Sequence, residues 1–121
     1  MSDQQRERGM AIRREVLGDA YVDRAEASKS PLTEDFQDLL ARYAWGEVWA
    51  RPGLDRRTRS CITVAMLVAL GQADELRLHL RGALNNGVTV DELKEVLLQT
   101  AIYCGIPAAN TAFRVAAEVL E

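Results

Sequence analysis

His79 is the only histidine of the chain, and so the only side chain whose ordinary pKa lies near neutrality. Glu75 precedes it by four residues, which on a helix puts carboxylate and imidazole on one face. Such a pair can fix the ring's tautomer, raise its basicity or share a proton with it, as general acid–base chemistry requires. The same spacing also makes plain surface pairs worth about 0.2–0.5 kcal/mol. Spacing alone leaves both readings open.

A second concentration of chemistry lies at Trp45–Ser60, WGEVWARPGLDRRTRS. It holds both tryptophans and four of the thirteen arginines, in a chain whose only lysines are Lys29 and Lys94. A guanidinium is a planar fork that grips a carboxylate through two hydrogen bonds, whereas an ammonium is a mobile point charge. Arginines beside large aromatics therefore suggest a site for a small, planar, acidic molecule. Glu47 and Arg51 are four apart and make either an active-site acid held by a cation or a solvated ion pair. Arg56, Arg57 and Arg59 fall in the opening turns of a helix, where cations oppose the macrodipole and a bound anion would relieve them. Trp45 and Trp49 pack or wall a ligand. Tyr103, ahead of Gly105 and Pro107, either donates its hydroxyl into a pocket or packs.

Other chemistries find less support. Ser60 and Cys61 have no base beside them in sequence, and there is neither a phosphate-binding glycine loop nor a dinucleotide fingerprint. Cys61 and Cys104 have no CxxC or zinc-type spacing, and one histidine cannot make up the deficit. No metal is expected, and the thiols read as buried, reduced, small hydrophobes. Proton transfer on an acid, without a cofactor, fits these residues best.

The elements that must position them are helices. At 121 residues the chain is expected to be one domain, 1–121, with the 48% hydrophobic and 27% charged content of a soluble globular protein. A net charge of -3 argues against nucleic acid or an anionic membrane surface as partner. No apolar run approaches the roughly 18 residues that span a bilayer. The opening MSDQQRERGM lacks the apolar stretch of a signal peptide, so the expected location is cytoplasmic.

About six helices are predicted, packed as antiparallel hairpins in an all-α fold. The first runs from about Gln4 to Leu17 and stops at Gly18, followed by a polar, looser segment through Ser28, Lys29 and Ser30. Pro31 and Thr33 open a second, with Phe36, Leu39, Leu40, Tyr43 and Ala44 at helical spacing, broken by Pro52-Gly53. Asp55 caps a third, with Ile62, Ala65, Met66, Ala69 and Leu70 as its stripe and Val64, Leu67 and Val68 making it apolar nearly all round. Asp74 is the expected cap of the fourth, which carries Leu76, Leu80, Ala83 and Leu84 to Asn85-Asn86-Gly87. Thr89-x-x-Glu92 is a capping box for the fifth, and Pro107 begins the last. The apolar third helix and the last helix (Ala112, Val115, Ala116, Val119) both suggest subunit contact.

Several segments taken together resemble the gamma-carboxymuconolactone decarboxylase family: Trp45-Gly46-x-x-Trp49-x-Arg51-Pro52-Gly53-Leu54, Arg57-x-Arg59-Ser60, Glu75-Leu76-x-x-His79 and Asn86-Gly87. Glu92 to Gln99, Tyr103-x-Gly105-x-Pro107 and the opening Arg13-Arg14-x-Val16-Leu17-Gly18 extend the likeness over nearly the whole chain, in order. The resemblance implies an alkylhydroperoxidase D-like all-α fold and a ring-like homo-oligomer, with a hexamer favoured. It also implies cofactor-free decarboxylation of 4-carboxymuconolactone, a lactone dicarboxylate, to the 3-oxoadipate enol-lactone in protocatechuate breakdown.

Carbon dioxide would leave from a carbon vinylogous to the lactone carbonyl, so the substrate is its own electron sink. What it needs is oxyanion donors, carboxylate anchors and an acid to reprotonate carbon. On this reading His79 is the acid, Glu75 orients it and Glu47 is the competing acid. Arg51 and Arg59 lead as anchors, with Arg56 or Arg57 as substitutes, and Trp45 and Tyr103 line the substrate. Alternatives are a catalytically silent helical oligomer or a redox member of the wider family. In the latter, cysteines of a CxxCxxxH pattern would fall at Gln72 and Glu75, and neither is a thiol.

Overall fold

A computed structural model describes residues 2–121, with side chains from Asp3 onward. Among the described residues every regular element is helical, in two compact units, one ending at Leu54 and one from Asp55 to Glu121.

The first unit holds α1 (Ser2–Leu17), α2 (Asp19–Ala27) and α3 (Glu34–Leu39), and α3 runs unbroken into a π-helical segment, Leu40–Trp49. The expected loose stretch after Gly18 is therefore a helix of nine residues, which brings the helices among the described residues to seven, where about six were expected. Its sequence, DAYVDRAEA, has too few apolar residues to show a period, yet Ala, Glu and Arg are good helix formers. Gly18, at φ +90°, ends α1 and swings the chain into α2, where Asp19 favours the helix N-terminus and Val22 is fully buried.

Backbones approach closely in this unit. A Cβ on Gly9 would collide with the carbonyl oxygen of Ala41, and one on Gly46 with that of Gln5, so two glycines let α1 lie against the π-helical segment. Gln5 Nε2 donates to the Arg42 carbonyl oxygen at 2.6 Å. Arg42 and Arg6 both donate to Asp38, and the Arg42 hydrogen bond is the main cause holding that carboxyl below its ordinary range. Ile12, Val16, Leu17, Ala41 and Trp45 are the buried apolar residues around this contact.

The second unit is α4 (Arg56–Leu70), α5 (Ala73–Asn85), α6 (Val90–Tyr103) and α7 (Ile106–Leu120). Val64, Val68, Leu76, Leu80, Ala83, Leu93, Leu97, Ala112 and Val115 form one continuous apolar core among them. Asp55 caps α4 by accepting from the Thr58 N–H at 2.7 Å, and the expected Thr89–Glu92 capping box closes α6.

Three expectations are corrected here. Gln72, not Asp74, occupies the cap position of α5, because the turn that ends α4 at Gly71 binds the Gln72 N–H to the Leu67 carbonyl at 3.0 Å. Asp74 sits in the first turn and accepts from Arg77 at 3.1 Å. The buried face of α4 is Ser60, Val64 and Val68, while Ile62, Met66, Ala69 and Leu70 of the expected stripe are exposed. A helix apolar on all sides has no periodic signal to choose its inner face; its neighbours choose it. On α7, Ala112, Val115 and Ala116 are spent in the unit's own core, which removes them as a subunit surface.

Candidate active site

α5 carries Glu75 in its first turn and His79 at its midpoint, on one face as the spacing requires. Glu75 Oε2 lies 3.8 Å from His79 Nε2, near enough for charge to be felt and too far for a hydrogen bond. The two environments differ: the imidazole is 12% exposed and the carboxylate 54%. Burial lowers the His79 pKa from its ordinary 6.5 to about 4, so the ring is neutral at physiological pH. A nearby anion is what would restore its proton.

The arginines of α4 are not alike. Arg57 donates to the carbonyl oxygen of Gly87 and to the Glu92 carboxylate, so it is engaged in the fold. Glu92 is held below the ordinary carboxylate range first by the Thr89 N–H and then by Arg57. Arg59 and Arg56 are both half-buried in the opening turns of α4. Ser60, fully buried, accepts from Asn86 Nδ2 at 2.9 Å.

In the first unit, Arg51 Nη1 stands 3.6 Å from Glu47 Oε1, with both side chains more than half exposed. Trp45 is 5% exposed and stacks on Trp49 with ring centroids 5.0 Å apart, so core packing is an observed job of this pair. The π-helical segment that holds Trp45, Glu47 and Trp49 was not legible from periodicity. Such wide turns recur at functional sites.

Tyr103 is exposed and lines a cavity of 340 Å³ with Cys61, Ile62, Ala65, Val96, Gln99, Thr100 and Cys104. The thiols are free, as expected, but half-buried along this cavity rather than sealed in the core. Burial raises the Cys61 pKa, with Glu92 adding to it, which keeps the sulfur a thiol and a poor nucleophile. The side chains that line the cavity are uncharged. Among the described residues, no group of three or more His, Cys, Asp or Glu could hold a metal ion. No helix there is long and apolar enough to cross a membrane.

A helical hairpin unit with a largely shielded histidine, a carboxylate one turn before it and arginines on the neighbouring helix is the setting in which likeness to known proteins becomes informative. The carboxymuconolactone decarboxylase family profile matches residues 34–118, and the chain belongs to that family. The 4-carboxymuconolactone decarboxylase of Acinetobacter baylyi is 52% identical over 122 residues, covering 100% of this chain and 91% of that protein. The nitrosuccinic acid decarboxylase of Metarhizium robertsii is 42% identical over 113 residues, 93% of this chain and 79% of the relative. A 4-carboxymuconolactone decarboxylase sequence of Pseudomonas putida is 42% identical over 48 residues, 39% of this chain and all of that sequence.

Proposed function

We propose that this protein is a carboxy-lyase that decarboxylates 4-carboxymuconolactone to the 3-oxoadipate enol-lactone in the β-ketoadipate pathway. The observation that carries this is the 52% identity, over the full chain, to a 4-carboxymuconolactone decarboxylase. Two relatives named for different acids share the word decarboxylase, so loss of carbon dioxide is the step the family likeness supports most broadly. Nitrosuccinic acid is accordingly the second substrate to try, on the strength of the 42% identity.

His79 is assigned as the acid that reprotonates carbon, with Glu75 steering its charge and Glu47 as the competing donor. Its neutral ring in the ligand-free protein does not disqualify it. A bound dicarboxylate beside a shielded imidazole raises the ring's pKa, so the substrate recruits the proton it later receives. Arg59 and Arg51 are assigned as carboxylate anchors, with Arg56 in reserve. Arg57, which donates to Gly87 and Glu92, is the other substitute. Trp45 and Tyr103 are the assigned lining residues. Anchors should grip the acetate arm rather than the departing carboxylate, because gripping the latter would stabilise the ground state.

The two units work as one domain, 1–121, a reading supported by the family profile running from residue 34 to residue 118. A homo-oligomer, with a hexamer favoured, and a cytoplasmic location complete the proposal. The exposed Ile62, Met66 and Leu70 on α4 support subunit contact.

Purified protein mixed with enzymatically generated lactone should release carbon dioxide and the enol-lactone without added metal or cofactor. No release from the lactone, with release from nitrosuccinic acid, would transfer the assignment to the second substrate. Inertness towards both would leave a silent helical oligomer.

A further inference from the structure

Two consecutive residues of the α5–α6 turn, Asn86 and Gly87, are each gripped by a side chain from the first turn and a half of α4. Asn86 Nδ2 donates to Ser60 Oγ at 2.9 Å, and Arg57 donates to the Gly87 carbonyl oxygen. Arg57 also reaches Glu92, whose other oxygen accepts from the Thr89 N–H at 2.9 Å, so the clasp continues into the cap of α6. Ser60 is 1% exposed, and an unmet hydroxyl there would cost more than the bond contributes. Gly87, at φ +88°, is the pivot that turns its carbonyl into reach.

Ser60 and Arg57 are three apart and therefore share a face of α4, with Arg59 between them in sequence. Asn86 is the residue that ends α5, the helix of His79. The interdigitated apolar core beneath sets how α4 and α5 pack, and the directional hydrogen bonds at the turn add a second constraint on their register.

We infer that the Ser60–Asn86 and Arg57–Gly87–Glu92 contacts form a two-point clasp that holds Arg59 of α4 in register with His79 of α5. Ser60, Asn86 and Arg57 are thus positioning residues for the reaction. This rests on the roles assigned above to Arg59 and His79. A misplacement of about 1 Å between an anchor and an acid can cost about a hundredfold in turnover. Arg57 then has the structural task its engagement implies, and Arg59 keeps the anchoring role assigned to it above.

The test is a double-mutant cycle on the full-length protein with Ser60→Ala, Asn86→Ala and the pair, and Arg57→Lys as the milder variant should Ser60→Ala not fold. Each single variant should raise KM for the lactone by roughly tenfold at retained helicity, and the double variant should be no worse than the worse single. Independent, multiplying losses, or losses that follow melting temperature alone, would overturn the clasp. A ligand-free readout keeps it separate from the proposed function: the single histidine and the Arg59 side chain give identifiable NMR resonances. Both should shift in Asn86→Ala. Unmoved resonances overturn the positioning role whether or not the lactone is turned over, while an inactive wild type with moving resonances sinks only the assigned reaction.

Discussion

Glu47–Arg51 and Glu75–His79 are built on the same spacing, one acidic residue followed four positions later by a group that can carry positive charge. The first pair ends the π-helical segment with both side chains more than half exposed, at 3.6 Å. The second lies in α5 at 3.8 Å, with the imidazole almost out of solvent. Distance does not separate them; water does. Around an exposed pair the solvent screens charge and leaves at most about 1 kcal/mol. Around a shielded imidazole each change of charge nearby is felt strongly enough to move a proton. This difference is the ground on which the proposed acid is placed on α5 rather than at Glu47.

The largest effect should come from His79→Gln, with turnover falling about 10²–10⁴-fold at retained helicity. A greater loss in Glu47→Gln, measured by the same carbon dioxide assay, would reverse the ranking of the two pairs. Next is Arg59→Ala, expected to raise KM for the lactone by about 10–100-fold, on the scale of a charge-assisted hydrogen bond, with a smaller change in kcat. Unchanged kinetics would remove Arg59 as an anchor.

The shielding of His79 also has a thermodynamic signature. Its folded pKa of about 4 lies below the unfolded value of 6.5, so between these the unfolded chain binds the extra proton. Stability from this group is full above pH 6.5, declines as pH falls towards 4, and amounts to about 3 kcal/mol over the window. Denaturant titrations should show that slope in the wild type and lose it in His79→Gln.

Glu75→Gln keeps the side chain's shape and removes its charge, and at 3.8 Å without a hydrogen bond it should cost kcat about tenfold or less. The smallest effect is assigned to Glu47→Gln, below about 0.5 kcal/mol of stability in a melting curve. A larger shift would mean that the exposed pair matters more than its solvation allows.

Much of this was written in the residues. The capping box at Thr89 and Glu92, the caps at Asp55 and Gly71, and the shared face of Glu75 and His79 are local facts, and local facts survive folding. What failed had to do with choice among equals. α4 is apolar on every side, so no period could say that Val64 and Val68 face inward while Ile62 and Met66 do not. α2 has too few apolar residues to announce itself, and the widened turns from Leu40 to Trp49 obey a period that a search for 3.6 does not find. In the candidate site, residue types were legible but allegiances were not. Nothing in Arg57-x-Arg59 shows that the first arginine is bound to the α5–α6 turn, and nothing in Glu75-x-x-x-His79 shows that one member is shielded.

The touching backbones at Gly9 and Gly46 have a consequence for how this sequence can drift. A side chain at either position meets main-chain oxygen, which has no rotamer to yield, whereas nothing stands within 4 Å of the Cβ direction at Gly53. Mutational tolerance in the first unit should therefore be steeply uneven among identical letters. Exhaustive substitution would find Gly53 nearly silent, and Gly9 and Gly46 would be frozen as a pair. Neither could relax unless the helix opposite moved away, so their histories of change are tied together although the sequence separates them.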